Sequence, residues 1–172
     1  MDYPTYYPAF LTATILEWKQ LLKPDKYKAI VTESLAFLVK EKRIQVFGFV
    51  IMSNHIHIIW RCMPTDSPSK VQLSFMKYTA QLIIKDLRNF HPQVLAHFMV
   101  NAKDRKHQIW ERNPLSIEIR SNDVLFQKLA YIHQNPVKAG LCEQAEAYYY
   151  SSAKLYIIGS CNWDFVERWE AY

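Results

Sequence analysis

Residues 46–60 read VFGFVIMSNHIHIIW, two apolar runs that meet at a two-residue polar turn, Ser53 and Asn54. A stretch of this kind folds most simply as a β-hairpin, because period-two apolar runs suit strands and the short polar break suits a tight turn. Strand side chains alternate between faces, so His55 and His57 share one face while Ile56, Ile58 and Trp60 take the other. Two imidazoles side by side on a sheet are either ordinary half-exposed strand histidines or a pair of ligands. The hairpin alone does not choose between them.

The flanking sequence supplies the remaining elements. Residues 8–18 are rich in β-branched and aromatic side chains and read as a first strand, closed by residues 21–24. From Asp25, Tyr27, Ile30, Val31, Leu35, Leu38 and Val39 recur at spacings of three and four, which predicts a helix ending near residues 42–43. After the hairpin comes a loop with Pro64 and Pro68, then a second helix over about residues 70–89. Its apolar stripe of Val71, Leu73, Phe75, Met76, Leu82, Ile83 and Leu87 is expected to be core. A less regular stretch, 91–101, leads to the densest basic cluster, Lys103, Arg105, Lys106 and His107. This is either a solvated charged turn or a phosphate-contacting loop, with Lys103, Arg105 and Lys106 as the candidate contacts.

Residues 108–112 and 116–120 look like a fourth strand broken at Asn113 and Pro114, since proline disrupts a central ladder. Ser121 and Asn122, followed by Asp123, then offer a helix N-cap, and the helix is expected to run to Asn135 and stop at Pro136. Beyond the turn at Gly140, the chain is unusually aromatic from about residue 148. Those rings either pack the domain, the commoner role, or stack on unpaired bases. The order β–α–β–β–α–β predicts an α+β fold: a ferredoxin-like split βαβ antiparallel sheet with helices on one face and an additional C-terminal helix. One sheet face would then stay open for a ligand. At 172 residues, half of them apolar, the chain is expected to form a single domain over 1–172.

Composition narrows the chemistry. Only three glycines are present, and they form neither a G-x-G-x-x-G nor a P-loop pattern, which argues against nucleotide-phosphate cradles. Lys and Arg exceed Asp and Glu by 21 to 16, a net charge of +5 that suits a polyanionic partner. Cys62, Cys142 and Cys161 are scattered and odd in number, so neither a disulfide framework nor a structural zinc site is expected, and a reducing cytoplasm fits. Residues 1–4 carry no basic leader, and no apolar run reaches the roughly 18–20 residues of a membrane span, so neither export nor membrane insertion is expected.

In the last helix Leu125, Leu129 and Ile132 make a core stripe, and a neighbouring stripe holds Val124, Lys128, Tyr131 and Asn135. Tyr131 either caps the edge of the core or takes part in chemistry with the histidines. In the second case His55 and His57 supply two ligands to a divalent cation, and Asn135 supplies a third through its amide oxygen. A cation held there polarises a phosphate ester while the Tyr131 hydroxyl attacks in line. An unperturbed tyrosine titrates at about 10, so the hydroxyl needs electrostatic help from the metal or from Lys128. A covalent phosphotyrosine conserves the energy of the broken ester, so rejoining needs no nucleotide hydrolysis.

The stretch FVIMSNHIH at 49–57 resembles the His-hydrophobic-His motif of single-tyrosine HUH transposases, and YIHQNPVKAG at 131–140 is similar to their catalytic-helix segment. Within that group the chain resembles REP-associated tyrosine transposases and their insertion-sequence relatives, from the first strand to about residue 152. The resemblance implies a ferredoxin-like domain that binds single-stranded DNA, often beside a hairpin, cleaves it with a metal ion, and stays joined to the 5′ phosphate through tyrosine. The matching positions are Tyr131 as nucleophile and His55, His57 and Asn135 as metal ligands; in some relatives a glutamine stands one helical turn after the tyrosine, and His133 and Gln134 are neighbouring substitutes for Asn135. Imidazoles on general grounds favour zinc, copper, iron or nickel, whereas the resemblance implies Mg2+ or Mn2+, which suit a site completed by water and phosphate oxygens. It also implies a homodimer and a bacterial cytoplasmic setting on the nucleoid. Two other readings stay open: a non-catalytic ferredoxin-like nucleic-acid-binding protein, and a metal-dependent hydrolase that attacks with water.

Overall fold

A computed structural model describes residues 5–171; residues 1–4, where no leader is expected, and Tyr172 lie outside the described residues. Strand β1 is Ala9–Thr14, helix α1 Asp25–Lys40, strands β2 and β3 are Ile44–Ile51 and His55–Cys62, and helix α2 is Pro68–Phe90. The short helix α3 (Pro92–Leu95) follows, then β4 (Leu115–Glu118), α4 (Asn122–Lys138) and α5 (Ala153–Ile157). The strands form a four-stranded antiparallel sheet in the order β2-β3-β1-β4. This is the α+β arrangement expected from the element order, compatible with the ferredoxin-like split fold. Among the described residues no helix is long and apolar enough to cross a membrane.

The core lies on both sides of the sheet. On one side α1 and α2 bury Val31, Leu35, Phe75 and Ile83 against Leu11, Ile56, Ile58 and Trp60. On the other, Leu125, Leu129 and Ile132 of α4 pack on Phe10, Phe47, Val50 and Ile59. The expectation of an open second face is therefore corrected: α4 and the aromatic tail cover much of it. The tail packs by its hydroxyls as well as its rings. Tyr148 donates to the Ile51 carbonyl at 2.7 Å and Tyr156 to the Phe47 carbonyl at 2.7 Å, anchoring it to β2.

A bulge in β2 makes room for α4. The β2–β3 register shifts between Val46 and Gly48, so Val46 pairs with Trp60 and Gly48 with Ile59. The extra residue lets Phe47 and Gly48 both serve the α4 side, and Phe47 meets Trp169 edge to face at 4.8 Å between centroids.

Several boundaries differ from the sequence reading for local reasons. The first strand ends at Thr14 and residues 16–18 form a 3-10 turn. Leu73 is exposed and lies off the buried stripe of α2. The fourth strand is confined to Leu115–Glu118; residues 108–112 contribute only an isolated bridge between Trp110 and Ile15, and the predicted break falls where Asn113 has a φ of 56°. Helix α4 passes through Pro136 to Lys138. Pro136 sits in the last turn, where its missing N–H forfeits one bond, and Ala139 still donates to the Asn135 carbonyl at 3.0 Å.

Candidate active site

His55 and His57 stand on the α4 side of β3, with ring centroids 4.9 Å apart, as strand alternation predicts. Thr12 of β1 lies opposite His57 in register, and its hydroxyl is 2.8 Å from His57 Nδ1. His55 Nδ1 is 2.7 Å from Asn54 Oδ1. An amide oxygen only accepts, so this contact puts the hydrogen on Nδ1 and leaves the lone pair of His55 on Nε2. Phe10, two residues before Thr12 on the same face, stacks on the His57 ring at 5.2 Å with the planes 16° apart. Thr12 and Phe10 of the neighbouring strand thus hold the His57 ring, and Asn54 of the turn sets the tautomer of His55.

Helix α4 brings Tyr131 to this pair. The Ser121 hydroxyl accepts from the Val124 N–H at 3.3 Å and starts the helix, while Leu125, Leu129 and Ile132 hold it on the sheet. The neighbouring stripe then overhangs the histidines: the Tyr131 ring meets His57 edge-on at 5.4 Å and Phe10 at 6.2 Å. Tyr131 remains 46% exposed, so a macromolecular substrate can reach it. Lys128, one turn earlier, places Nζ 4.8 Å from the Phe10 ring centre.

The electrostatics favour neutral imidazoles, the ligating form. Burial pushes His57 down to about 3, aided by the charges of His55 and Lys128, and burial also lowers His55. Asn135, one turn beyond Tyr131, has a buried Nδ2 with no hydrogen-bond partner, the sole such side-chain atom among the described residues. A buried carboxamide without a protein partner is poised for another one, and a half-turn about χ2 offers its oxygen instead. His133, by contrast, turns into the core, with Nε2 2.8 Å from the Ser152 hydroxyl, and burial lowers it to about 4. Gln134 is exposed on another side of the helix. Among the described residues no three His, Cys, Asp or Glu side chains converge, so any ion here would draw the rest of its shell from water and substrate oxygens.

The basic cluster is not part of this arrangement. Lys106 and His107 line a cleft of about 430 Å³ with Gln81, Ile84, Lys85 and Arg88 of α2, whose buried face packs on the opposite side of the sheet from α4. Arg105 is paired with Asp104, and Lys103 lies in the same exposed turn. Sequence reasoning passed over Thr12, Phe10, Asn54 and Trp18. Thr12 and Phe10 did share an alternation on the first strand, but only the strand order reveals which strand lies beside His57.

The site is therefore a histidine pair on a ferredoxin-like α+β sheet beneath a tyrosine-bearing helix. Residues 15–98 match the family model described as transposase IS200 like. The match contains both histidines and stops before Tyr131. A protein of Haemophilus influenzae described as a REP-associated tyrosine transposase is 31% identical over 110 residues, which span 63% of this chain and 58% of that relative's length. The chain is thus similar in sequence to a REP-associated tyrosine transposase, and it spans little more than half of that relative's length. Among solved structures, a REP-associated tyrosine transposase bound to a REP hairpin superimposes with a TM-score of 0.65 at 19% identity, covering 99% of this chain and 97% of that one. A Deinococcus radiodurans protein described as a transposase gives 0.51 at 12% identity, covering 78% and 94%. At these identities the structural likeness speaks for the fold.

Proposed function

We propose that this protein is a single-stranded DNA transposase that cleaves and rejoins DNA through a 5′-phosphotyrosine on Tyr131. The observation that carries the reading is the edge contact of Tyr131 with His57, 5.4 Å between ring centres, made within one chain by an exposed tyrosine over neutral imidazoles. His55, His57 and Asn135 are the residues that would hold a divalent ion, Mg2+ or Mn2+, and when bound such an ion supplies Lewis-acid polarisation of the phosphate oxygens. The free Nε2 lone pair on His55 and the unpartnered Asn135 amide are the features that fit it. In the transfer, Tyr131 Oη bonds to phosphorus as the P–O3′ bond breaks. The electron pair leaves on O3′, which takes up a proton, and the tyrosine proton passes to solvent. Attack by a 3′ hydroxyl on the adduct reverses these steps.

Lys128 is placed to offset phosphate charge beside Tyr131, whereas Lys103, Arg105 and Lys106 are proposed contacts for flanking DNA. The REP hairpin carried by the structural relative suggests hairpin-bearing DNA as the partner, and a homodimer remains the proposed assembly. Incubation with hairpin-bearing single-stranded oligonucleotides and Mg2+ or Mn2+, followed by a denaturing gel, tests the chemistry. A covalent adduct that disappears in Tyr131→Phe is the expected result. DNA binding without an adduct would favour the non-catalytic binding reading, and cleavage without one would favour hydrolysis by water.

A further inference from the structure

The turn after β1 holds an exposed tryptophan in an unfavourable backbone. Glu17 and Trp18 have φ of 54° and 57°, the left-handed region that bulky L-residues avoid, and two in succession compound the cost. The conformation is enforced from several sides. The Glu17 N–H donates to the Glu111 carboxylate at 2.7 Å, the Leu16 N–H to the Ile109 carbonyl at 2.8 Å, and the Ile15 N–H to the Asn54 carbonyl at 2.8 Å. Nothing is gained in core packing, since Trp18 is 63% exposed. What the strain achieves is to stand the indole beside His55, edge to face at 6.2 Å.

The ring contacts run in sequence, Tyr131 to His57 at 5.4 Å, His57 to His55 at 4.9 Å, and His55 to Trp18 at 6.2 Å. Tyr131 and Trp18 therefore flank the histidine pair at its two ends. In an in-line displacement the leaving oxygen departs opposite the attacking one, so the nucleotide that carries the departing 3′ oxygen lies at the end away from Tyr131.

Resting on the proposed function, we infer that Trp18 is the stacking platform for the base of the nucleotide on the 5′ side of the scissile phosphate. An exposed indole offers a π-face that any base can use, which makes the contact tolerant of sequence. Trp18 thereby keeps the departing 3′ hydroxyl beside the site and available for rejoining. It touches the nucleotide that leaves and takes no part in bond making.

The test uses anisotropy of fluorescein-labelled twelve-residue oligonucleotides in EDTA, where cleavage does not intervene: dT12 against an abasic strand of equal charge. Wild type should prefer dT12, and Trp18→Ala should lose that preference, weakening dT12 by about tenfold while binding the abasic strand equally. Trp18→Phe should retain part of the preference. Trp18→Gly relieves the left-handed strain, so it should melt higher than wild type and still lose the preference, a combination that a structural role would not produce. With the scissile phosphate mapped from adduct lengths, an abasic site on its 5′ side should equalise wild type and Trp18→Ala. Equal effects from the 3′ side would overturn the assignment of side. If wild type binds dT12 but variants at Trp18 keep its base preference, the stacking inference fails and the proposed function stands. If wild type binds no single strand at all, both fail.

Discussion

Gly48 of β2 lies directly beneath Leu129 of α4: a Cβ on Gly48 would come within 2.5 Å of Leu129 Cδ2 and 3.3 Å of Ile132 Cδ1. The glycine lets the helix that carries Tyr131 settle on the sheet. Gly48→Ala should lift α4 and cost about 1–3 kcal/mol, as overpacking does, read as a lower denaturation midpoint. Adduct formation should fall by more than stability alone accounts for, because Tyr131 is displaced from His57. An alanine variant with unchanged adduct yield would mean that the helix position is not critical.

Thr12 supports His57 through its hydroxyl, 2.8 Å from Nδ1. Thr12→Val keeps the shape and removes the hydroxyl, so the fold should persist. Affinity for Mn2+, followed by calorimetry, should drop about 10–100-fold, the usual effect of losing a supporting hydrogen bond behind a ligating histidine. Unchanged affinity would show that the Thr12 hydroxyl does not support an ion ligand.

Replacing Lys103, Arg105 and Lys106 together by alanine should leave adduct formation at saturating DNA intact, since they share an exposed turn whose Lys106 lies against α2 and away from α4. The logarithmic salt dependence of single-strand affinity should become shallower by about 0.7 for each phosphate that the protein no longer neutralises. An unaltered slope would place the DNA elsewhere.

Acid stability should depend on Asp86, which accepts from Tyr27 at 2.7 Å and Lys26 at 2.6 Å. Burial opposes its ionisation, but these two donors outweigh burial and hold the carboxyl below its ordinary value. Its contribution is therefore complete above the unfolded value of about 3.9 and is lost as pH falls through the folded one. Burial, then Asp86, raises the Tyr27 hydroxyl, so that group contributes below about 10 and loses its contribution as pH rises further. Tyr27→Phe should cost about 1.5 kcal/mol near neutrality and less at pH 3 in denaturant titrations. An equal loss at both values would show that the hydrogen bond does not depend on the carboxylate.

The elements were legible where periodicity was strong. The SN turn, the heptad-like spacing in α1 and α2, and the Ser121 cap each specified an element by local chemistry, and the two motifs pointed to His55, His57 and Tyr131. What local chemistry could not carry was the placement of α4 on the sheet, because that depends on a bulge at residues 46–48 and a glycine whose only role is to be small. The strained turn at Glu17 and Trp18 was likewise hidden, since its conformation is imposed by Glu111 and Asn54 from distant parts of the chain.

The pairing of Thr12 with His57 also makes the imidazole a reporter of strand register. A one-residue slip of β1 along β3 turns Thr12 and Phe10 to the α1 and α2 side of the sheet and presents apolar Leu11 or Ala13 to the ring. Misregistered chains would keep both histidines and the tyrosine and still lack the hydroxyl that holds the His57 ring, so a full set of site residues is not by itself an assembled site.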